Sequence, residues 1–277
     1  MKLGVTIRNW GPTATPEFLN DCFAIADRST LDAIWFNDHL GFPPDIEKNP
    51  MPIPPEMGNI LDPLGFACYL ASATSRISFG TGVLVLPYRP AIVTQKLLTT
   101  IQVLSGNRFL LGVGAGYLDE EFKALGVPKS QRGKLTDETI NLLRESSANE
   151  TIEANGQPFI LKPKLNCPPI YIGGATEIAI PRAVRCGDGW MPMGTLPEDL
   201  APSIQMLHKL AAEAGRKDLE VVAMKTLPLE NPQAGIDMAQ AYKDVGVTHL
   251  VHVQAYDSPG HFGEVVSQFD GEVRSKL

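Results

Sequence analysis

The chain switches between two hydrophobic periods eight times, and that repetition constrains its fold more than any single residue does. KLGVTIR (2–8) alternates and is rich in β-branched residues, whereas PEFLNDCFAIADRS (16–29) carries Phe18, Leu19, Cys22, Phe23 and Ile25 on a helical stripe. AIWFNDH (33–39) then reads as a strand, and DPLGFACYLASATS as a helix with Asp62 at its N-cap and Pro63 at its first position. Further pairs begin at ISFGTGVLVL (77–86), RFLLGVGAG (108–116), PIYIGG (169–174), GWMPM (189–193), EVVAMKTL (220–227) and HLVHVQA (249–255).

Eight strand and helix pairs in about 250 residues are the arithmetic of a single α/β domain over 1–277, a (β/α)8 TIM barrel. In such a barrel the parallel strands present their C-terminal ends to the active site. The nearest competitor is an open doubly wound sheet. Two segments interrupt the repeat. TIEANGQPFIL (151–161) has Asn155-Gly156 between short extended runs and predicts a small β insertion between barrel strands four and five. GFPPDIEKNPMPIPPEMGN (41–59), with six prolines, leaves the end of strand two and predicts a lid or substrate wall above the site.

A net charge of −7 with no Lys/Arg run argues against nucleic acid as a partner. No apolar run approaches the ~20 residues that span a bilayer, so a cytoplasmic protein is expected. Cys22, Cys68, Cys167 and Cys186 are far apart and lack C-x-x-C spacing, so they read as buried thiols rather than a zinc site or a disulfide framework. His249 and His252 stand three apart on one strand, face opposite sides and cannot chelate together, so no metal site is expected. There is no G-x-S-x-G elbow, which disfavours hydrolysis through a covalent serine.

Asp38 and His39 close strand two, with one of them directed to the barrel mouth. They form either a structural pair or a proton-handling site, since His is the side chain best suited to move protons near neutral pH. Glycines cluster at strand ends: Gly80-Thr81-Gly82, Gly112-Val113-Gly114-Ala115-Gly116 and Gly173-Gly174. GVGAG lacks the G-x-G-x-x-G spacing of a dinucleotide fingerprint. Gly173-Gly174, with Ala175 leading into a helix, is either a tight βα turn or a seat for phosphate on free amides.

Taken together, AIWFNDH, the block from Gly80 to Gly126, PPIYIGGA (168–175) and RAVRCGDGW (182–190) resemble the luciferase-like monooxygenase superfamily of flavin- and deazaflavin-dependent barrel oxidoreductases. The resemblance implies a homodimer that binds coenzyme F-420 or FMN and transfers a hydride between a small organic substrate and the deazaflavin. His39 would be the catalytic group. Asp38, His39, Thr81, Gly82, Val83, Gly116, Gly173, Gly174 and Ala175 would contact the cofactor, with a non-proline cis peptide at Gly82-Val83 forming a bulge behind the ring. Tyr117 stands where a sugar-phosphate dehydrogenase branch carries an acid, which weighs against that activity. The D-H pair and the L-P-Y run are closer to the F-420 branch. With FMN the expectation becomes an oxygen-dependent monooxygenase fed by a separate flavin reductase. The rivals are a non-catalytic flavin-binding accessory protein and a carbon-carbon lyase built on Lys225.

Overall fold

The computed structural model describes residues 1–45, 53–217 and 219–277. Residues 46–52 of the expected lid therefore lie outside the described residues. Along the chain, β1 (Lys2–Thr6), α1 (Pro16–Arg28), β2 (Ala33–Phe36), α2 (Pro63–Ala73), β3 (Ser78–Val85), α3 (Ala91–Ser105) and β4 (Phe109–Gly114) follow one another. Next come α4 (Asp119–Leu125), α5 (Arg132–Ala148), the hairpin strands β5 (Thr151–Ala154) and β6 (Gln157–Ile160), β7 (Ile170–Gly173) and α6 (Thr176–Cys186). The chain then continues through β8 (Gly189–Met191), α7 (Pro197–Glu213), β9 (Glu220–Lys225), α8 (Pro232–Asp244), β10 (His249–His252) and α9 (Pro259–Ser267).

Eight parallel strands close in the order β1-β10-β9-β8-β7-β4-β3-β2, so the barrel replaces the open sheet as the architecture. The β5-β6 hairpin forms its own antiparallel pair, turned by Asn155 and Gly156 at φ 51° and 76°, the left-handed values an Asn-Gly turn requires. Four helices start from one local device, a capping oxygen followed by proline. Thr15, Asp62, Asn231 and Ser258 each accept a first-turn N–H, and a proline that has no N–H to satisfy comes next.

Alternation along the strands separates two apolar layers. Leu3, Val5, Ile34, Phe36, Phe79, Leu111, Ile172, Val221 and Leu250 point outward and pack with the helices. Ala33, Trp35, Tyr171, Met191, Val222, Met224 and Val251 fill the barrel. The interior seats Trp35 because its neighbours lack side chains. A Cβ on Gly80 would lie 2.9 Å from the indole, and one on Gly4 would lie 3.1 Å from it.

Strand two is shorter than the sequence predicts. Asn9 explains the stop: its Oδ1 accepts the Asn37 N–H at 3.1 Å, and its Nδ2 donates to the Asn37 and Leu61 carbonyls, each at 2.9 Å. That side-chain clamp replaces the ladder, and Asn37, Asp38 and His39 fall beyond the strand. The thiols also differ from expectation. All four are free, but only Cys22 is fully buried, its pKa pushed up to about 12 by desolvation, while Cys68, Cys167 and Cys186 are half-buried on helix flanks and loops. Among the described residues no helix is long and apolar enough to cross a membrane, and no group of three or more His, Cys, Asp or Glu could hold a metal ion.

Candidate active site at the barrel rim

Just past β2 the chain divides two neighbouring side chains between two networks. His39 places Nδ1 3.0 Å from Glu121 Oε2, in the first turn of α4. Glu121 is buried and also accepts from Tyr88 Oη at 2.6 Å and from the Leu40 N–H at 2.6 Å. Burial works to raise its pKa, but the hydrogen bonds from His39, Tyr88 and Leu40 prevail and hold the carboxyl below its usual range. An ionised acceptor requires Nδ1 to carry a proton and donate it, so in the neutral imidazole Nε2 is the nitrogen with the lone pair. Nε2 has no hydrogen-bond partner among the described residues. The ring packs against Phe42 at 4.7 Å and meets Tyr117 edge-on at 5.8 Å, so both faces of its orientation are set by neighbours.

Asp38 turns the other way. Arg89 grips it with Nη1 on Oδ2 at 2.7 Å and Nη2 on Oδ1 at 2.8 Å, and the Val85 N–H donates to Oδ2 at 2.8 Å. Its side chain is fully buried. Burial pushes the carboxyl pKa up against the pull of Arg89 and Val85, yet three donors and no acceptor describe the ionised form. Arg89 Nη2 also reaches Asp62 Oδ2 at 2.7 Å, while Asp62 Oδ1 caps α2. One guanidinium thus ties the chain after β2 to the end of β3 and the start of α2.

The glycine clusters make room for a bulge. The Gly82-Val83 peptide is cis, and the register between β3 and β4 shifts between Thr81 and Leu84. Val83 points into the barrel, where a Cβ on Gly114 would lie 2.7 Å from Val83 Cγ2 and one on Gly173 2.9 Å from Cγ1. Any larger residue at either position would displace it. Gly82 leaves its own gap, since a Cβ there would meet the Met224 thioether at 3.0 Å. Thr81 is buried in the wall and donates its hydroxyl to the Gly112 carbonyl at 2.8 Å. Gly116, at φ 81°, fits against Val85 and Phe122.

Gly174 takes φ 124°, a value side-chain-bearing residues rarely adopt, and turns the chain into α6. Ala175 occupies the N-cap without a side-chain acceptor, so the first-turn amides of α6 carry no side-chain cap. Gly174 and Ala175 are exposed and Gly173 is half-buried. These backbone groups sit at the end of β7, two strands from the β3 bulge.

A cavity of ≈ 440 Å³ opens over the ends of β1, β2, β8, β9 and β10, lined by Thr6, Arg8, Trp10, Asn37, Met193, Met224, Lys225, Thr226, Val253 and Gln254 among others. Its size is that of a small-molecule site. Lys225 Nζ donates to the Gly194 carbonyl at 2.7 Å. His249 points inward, packing edge-on to Tyr171, and His252 packs outward on Phe269, as alternation on one strand requires. Cofactor fit can be judged on the backbone side of the rim. Glycines at 82, 114 and 173 let Val83 form a low apolar floor, and with the exposed amides before α6 beside it this suits a planar ring with an anionic tail.

Sequence reasoning missed Glu121, Tyr88 and Arg89. The available signal was modest: Glu121 is the one acid of LDEEF spaced i+3 from the buried Leu118, and Arg89 follows LPY directly.

A family model described as luciferase-like monooxygenase matches residues 1–261. An uncharacterized protein of Mycobacterium tuberculosis (strain ATCC 25618 / H37Rv) is 31% identical over 191 residues, which cover 66% of this chain and 64% of that protein. The chain therefore spans a little under two thirds of that relative's length. An F420-dependent glucose-6-phosphate dehydrogenase of Amycolatopsis mediterranei (strain U-32) is 28% identical, with 91% of this chain and 92% of that protein covered. Among solved structures, the coenzyme F420 dependent tetrahydromethanopterin reductase of Methanopyrus kandleri superposes with a TM-score of 0.75 at 15% identity, over 99% of this chain and 98% of the other. The FMN complex of a type II Baeyer-Villiger monooxygenase from Pseudomonas putida does so with a TM-score of 0.77 at 13% identity, over 100% and 99%. Those two likenesses concern the fold. The family match runs through every barrel strand and the whole rim, and by it the chain belongs to the luciferase-like monooxygenase family.

Proposed function

We propose that the protein is an oxidoreductase that binds F-420 at the barrel rim and reduces or oxidises a small organic substrate by hydride transfer, with His39 as the proton-handling group. The observation that carries this reading is the His39-Glu121 pair. A buried carboxylate fixes Nδ1 as the protonated nitrogen and leaves Nε2 to accept or return one proton. Bound there, the deazaflavin would supply the hydride carrier. The chain contributes the rest. Val83 and Gly82 would back the ring, Gly173, Gly174 and Ala175 would receive the anionic tail on backbone N–H groups, and Arg89 holds Asp38 so that the loop carrying His39 keeps its place. Thr81 and Gly116 would act in the wall behind the ring, through the hydroxyl on Gly112 and the turn against Val85.

F-420 is preferred because the Amycolatopsis relative, named for that cofactor, aligns with nearly the whole chain. FMN is the second reading, supported by the fold shared with the FMN-bound Baeyer-Villiger monooxygenase. Tyr117, edge-on to His39, supports a substrate other than a sugar phosphate. Titration of the purified protein with F-420 and with FMN, followed by absorbance and fluorescence, tests the cofactor. His39→Ala is expected to keep cofactor affinity within about twofold while turnover falls ~10²-fold or more. Turnover equal to the parent protein would remove His39 from the mechanism.

A further inference from the structure

The rim is unevenly furnished. Its glycine-built side lies on β3, β4 and β7, whereas the ≈ 440 Å³ cavity is walled by side chains from β1, β2, β8, β9 and β10. Among the described residues that wall holds two cations, Arg8 and Lys225, and no acid. The choice is notable in a chain with 31 acidic against 24 basic residues. The Arg8 guanidinium carbon sits over Trp10, 4.4 Å from the ring centroid, and 5.7 Å from the centroid of the Tyr256 ring. Only its backbone is bonded, the N–H donating to Tyr256 Oη at 2.7 Å. The guanidinium has no hydrogen bond or ion pair to any described residue. Arginines placed for structure in this chain behave otherwise: Arg76, Arg89 and Arg108 each engage carbonyls, hydroxyls or carboxylates with their forks. Stacking on Trp10 fixes the plane of the Arg8 fork while leaving its N–H edge free, the arrangement that receives a carboxylate with two parallel bonds.

We infer that this cavity binds the anionic group of the substrate, and that the substrate is a small organic carboxylate whose apolar body rests on Met193, Met224 and Val253 with its charge on Arg8 and Lys225. This rests on the oxidoreductase reading for the identity of the reaction, and not for the binding site itself. Ring order separates the site from the seat for the cofactor's tail. Arg8 follows β1, and the Gly173-Gly174 turn follows β7, four strands away in a ring of eight and therefore across the barrel. Lys225 ends β9, which is likewise opposite the β3 bulge, so a molecule in the cavity faces a plate backed by Val83.

The test is calorimetric titration of the protein without cofactor, using cyclohexanecarboxylate and its neutral amide as probes. The acid is expected to bind at least tenfold more tightly than the amide, with a preference that weakens as salt rises. Arg8→Gln should reduce the preference to about twofold, Lys225→Gln should lower it at least threefold, and Arg8→Lys should keep part of it. Circular dichroism checks that each variant is folded, and Lys225→Gln carries the test if Arg8→Gln is not. An equal affinity for acid and amide in the parent protein overturns the inference. So does an Arg8→Gln protein that still prefers the acid but loses the preference for FMN over riboflavin, which would give Arg8 to the cofactor's phosphate. If neither F-420 nor FMN binds while the acid preference is present and Arg8-dependent, the carboxylate site stands and the cofactor reading falls.

Discussion

Replacing Glu121 with glutamine tests the link between the rim's geometry and its chemistry. The carboxylate receives three bonds, from His39 Nδ1 at 3.0 Å, Tyr88 Oη at 2.6 Å and the Leu40 N–H at 2.6 Å. Gln can still accept from Leu40, and His39 and Tyr88 can turn their lone pairs toward its amide, so partners survive and only the charge disappears. A bond to a charged group contributes about 1 kcal/mol more than a neutral one, so three of them put the loss near ~3 kcal/mol. Urea unfolding followed by circular dichroism measures it. The pH dependence has a defined sign. The Glu121 pKa is lowered in the folded protein, so its contribution is present above the unfolded-state value of about 4.3 and disappears as pH falls through the folded value. The gap between Glu121→Gln and the parent should therefore be constant from about pH 8 to pH 5 and shrink below about pH 4. A gap under ~0.5 kcal/mol at neutral pH, or one that grows with acid, would refute the claim that an ionised Glu121 organises His39.

Gly173→Ala should destabilise by about 1–3 kcal/mol, because the new methyl would stand 2.9 Å from Val83 Cγ1 and 3.3 Å from the Val113 carbonyl. Adding Val83→Ala should recover part of that loss in the same urea assay, and strict additivity of the two changes would mean the contact is not what excludes a side chain. His249 is buried near Glu220, Lys2, Asp32 and Tyr171, and desolvation lowers its pKa to about 4. Because the unfolded chain binds that proton first, stability should fall by up to ~3 kcal/mol between about pH 6.5 and pH 4, and His249→Phe should flatten that part of the curve.

What could be read from the chain was whatever is encoded locally. The hairpin at Asn155-Gly156 follows from two residues, and the starts of four helices from a capping side chain and a proline. The eightfold alternation identified the barrel, since both periods are visible within a dozen residues. The networks at the rim are of another kind. His39 meets Glu121 82 residues away, and Asp38 meets Arg89 51 residues away, distances at which no periodicity operates. Asn9 stops β2 from 28 residues upstream, which is why AIWFNDH reads as one strand although only AIWF pairs. The cis peptide at Gly82-Val83 was legible only through family resemblance, because glycine beside valine has no local preference for it.

The two halves of the rim answer to different constraints, and that difference bears on how such a barrel changes substrate. On β3, β4 and β7 a single added methyl at 82, 114 or 173 would meet an atom at 3.0 Å or closer, so the residue at each position is fixed by volume. Past β1 and β8 and at the end of β9, Arg8, Met193 and Lys225 reach solvent, with Met193 60% exposed, so packing constrains them less than it does the buried Met224 beside them. If the cavity is the carboxylate site inferred above, substitution at Arg8, Met193 or Lys225 alters the ligand without disturbing the glycine-built floor, since the bulge is held from behind by the Asp38-Arg89 fork and the Val85 N–H and not by these three side chains. His39 follows β2, the strand that joins the cavity half of the ring to β3, and Glu121, Phe42 and Tyr117 hold its ring there from the α4 and loop side rather than from the cavity wall.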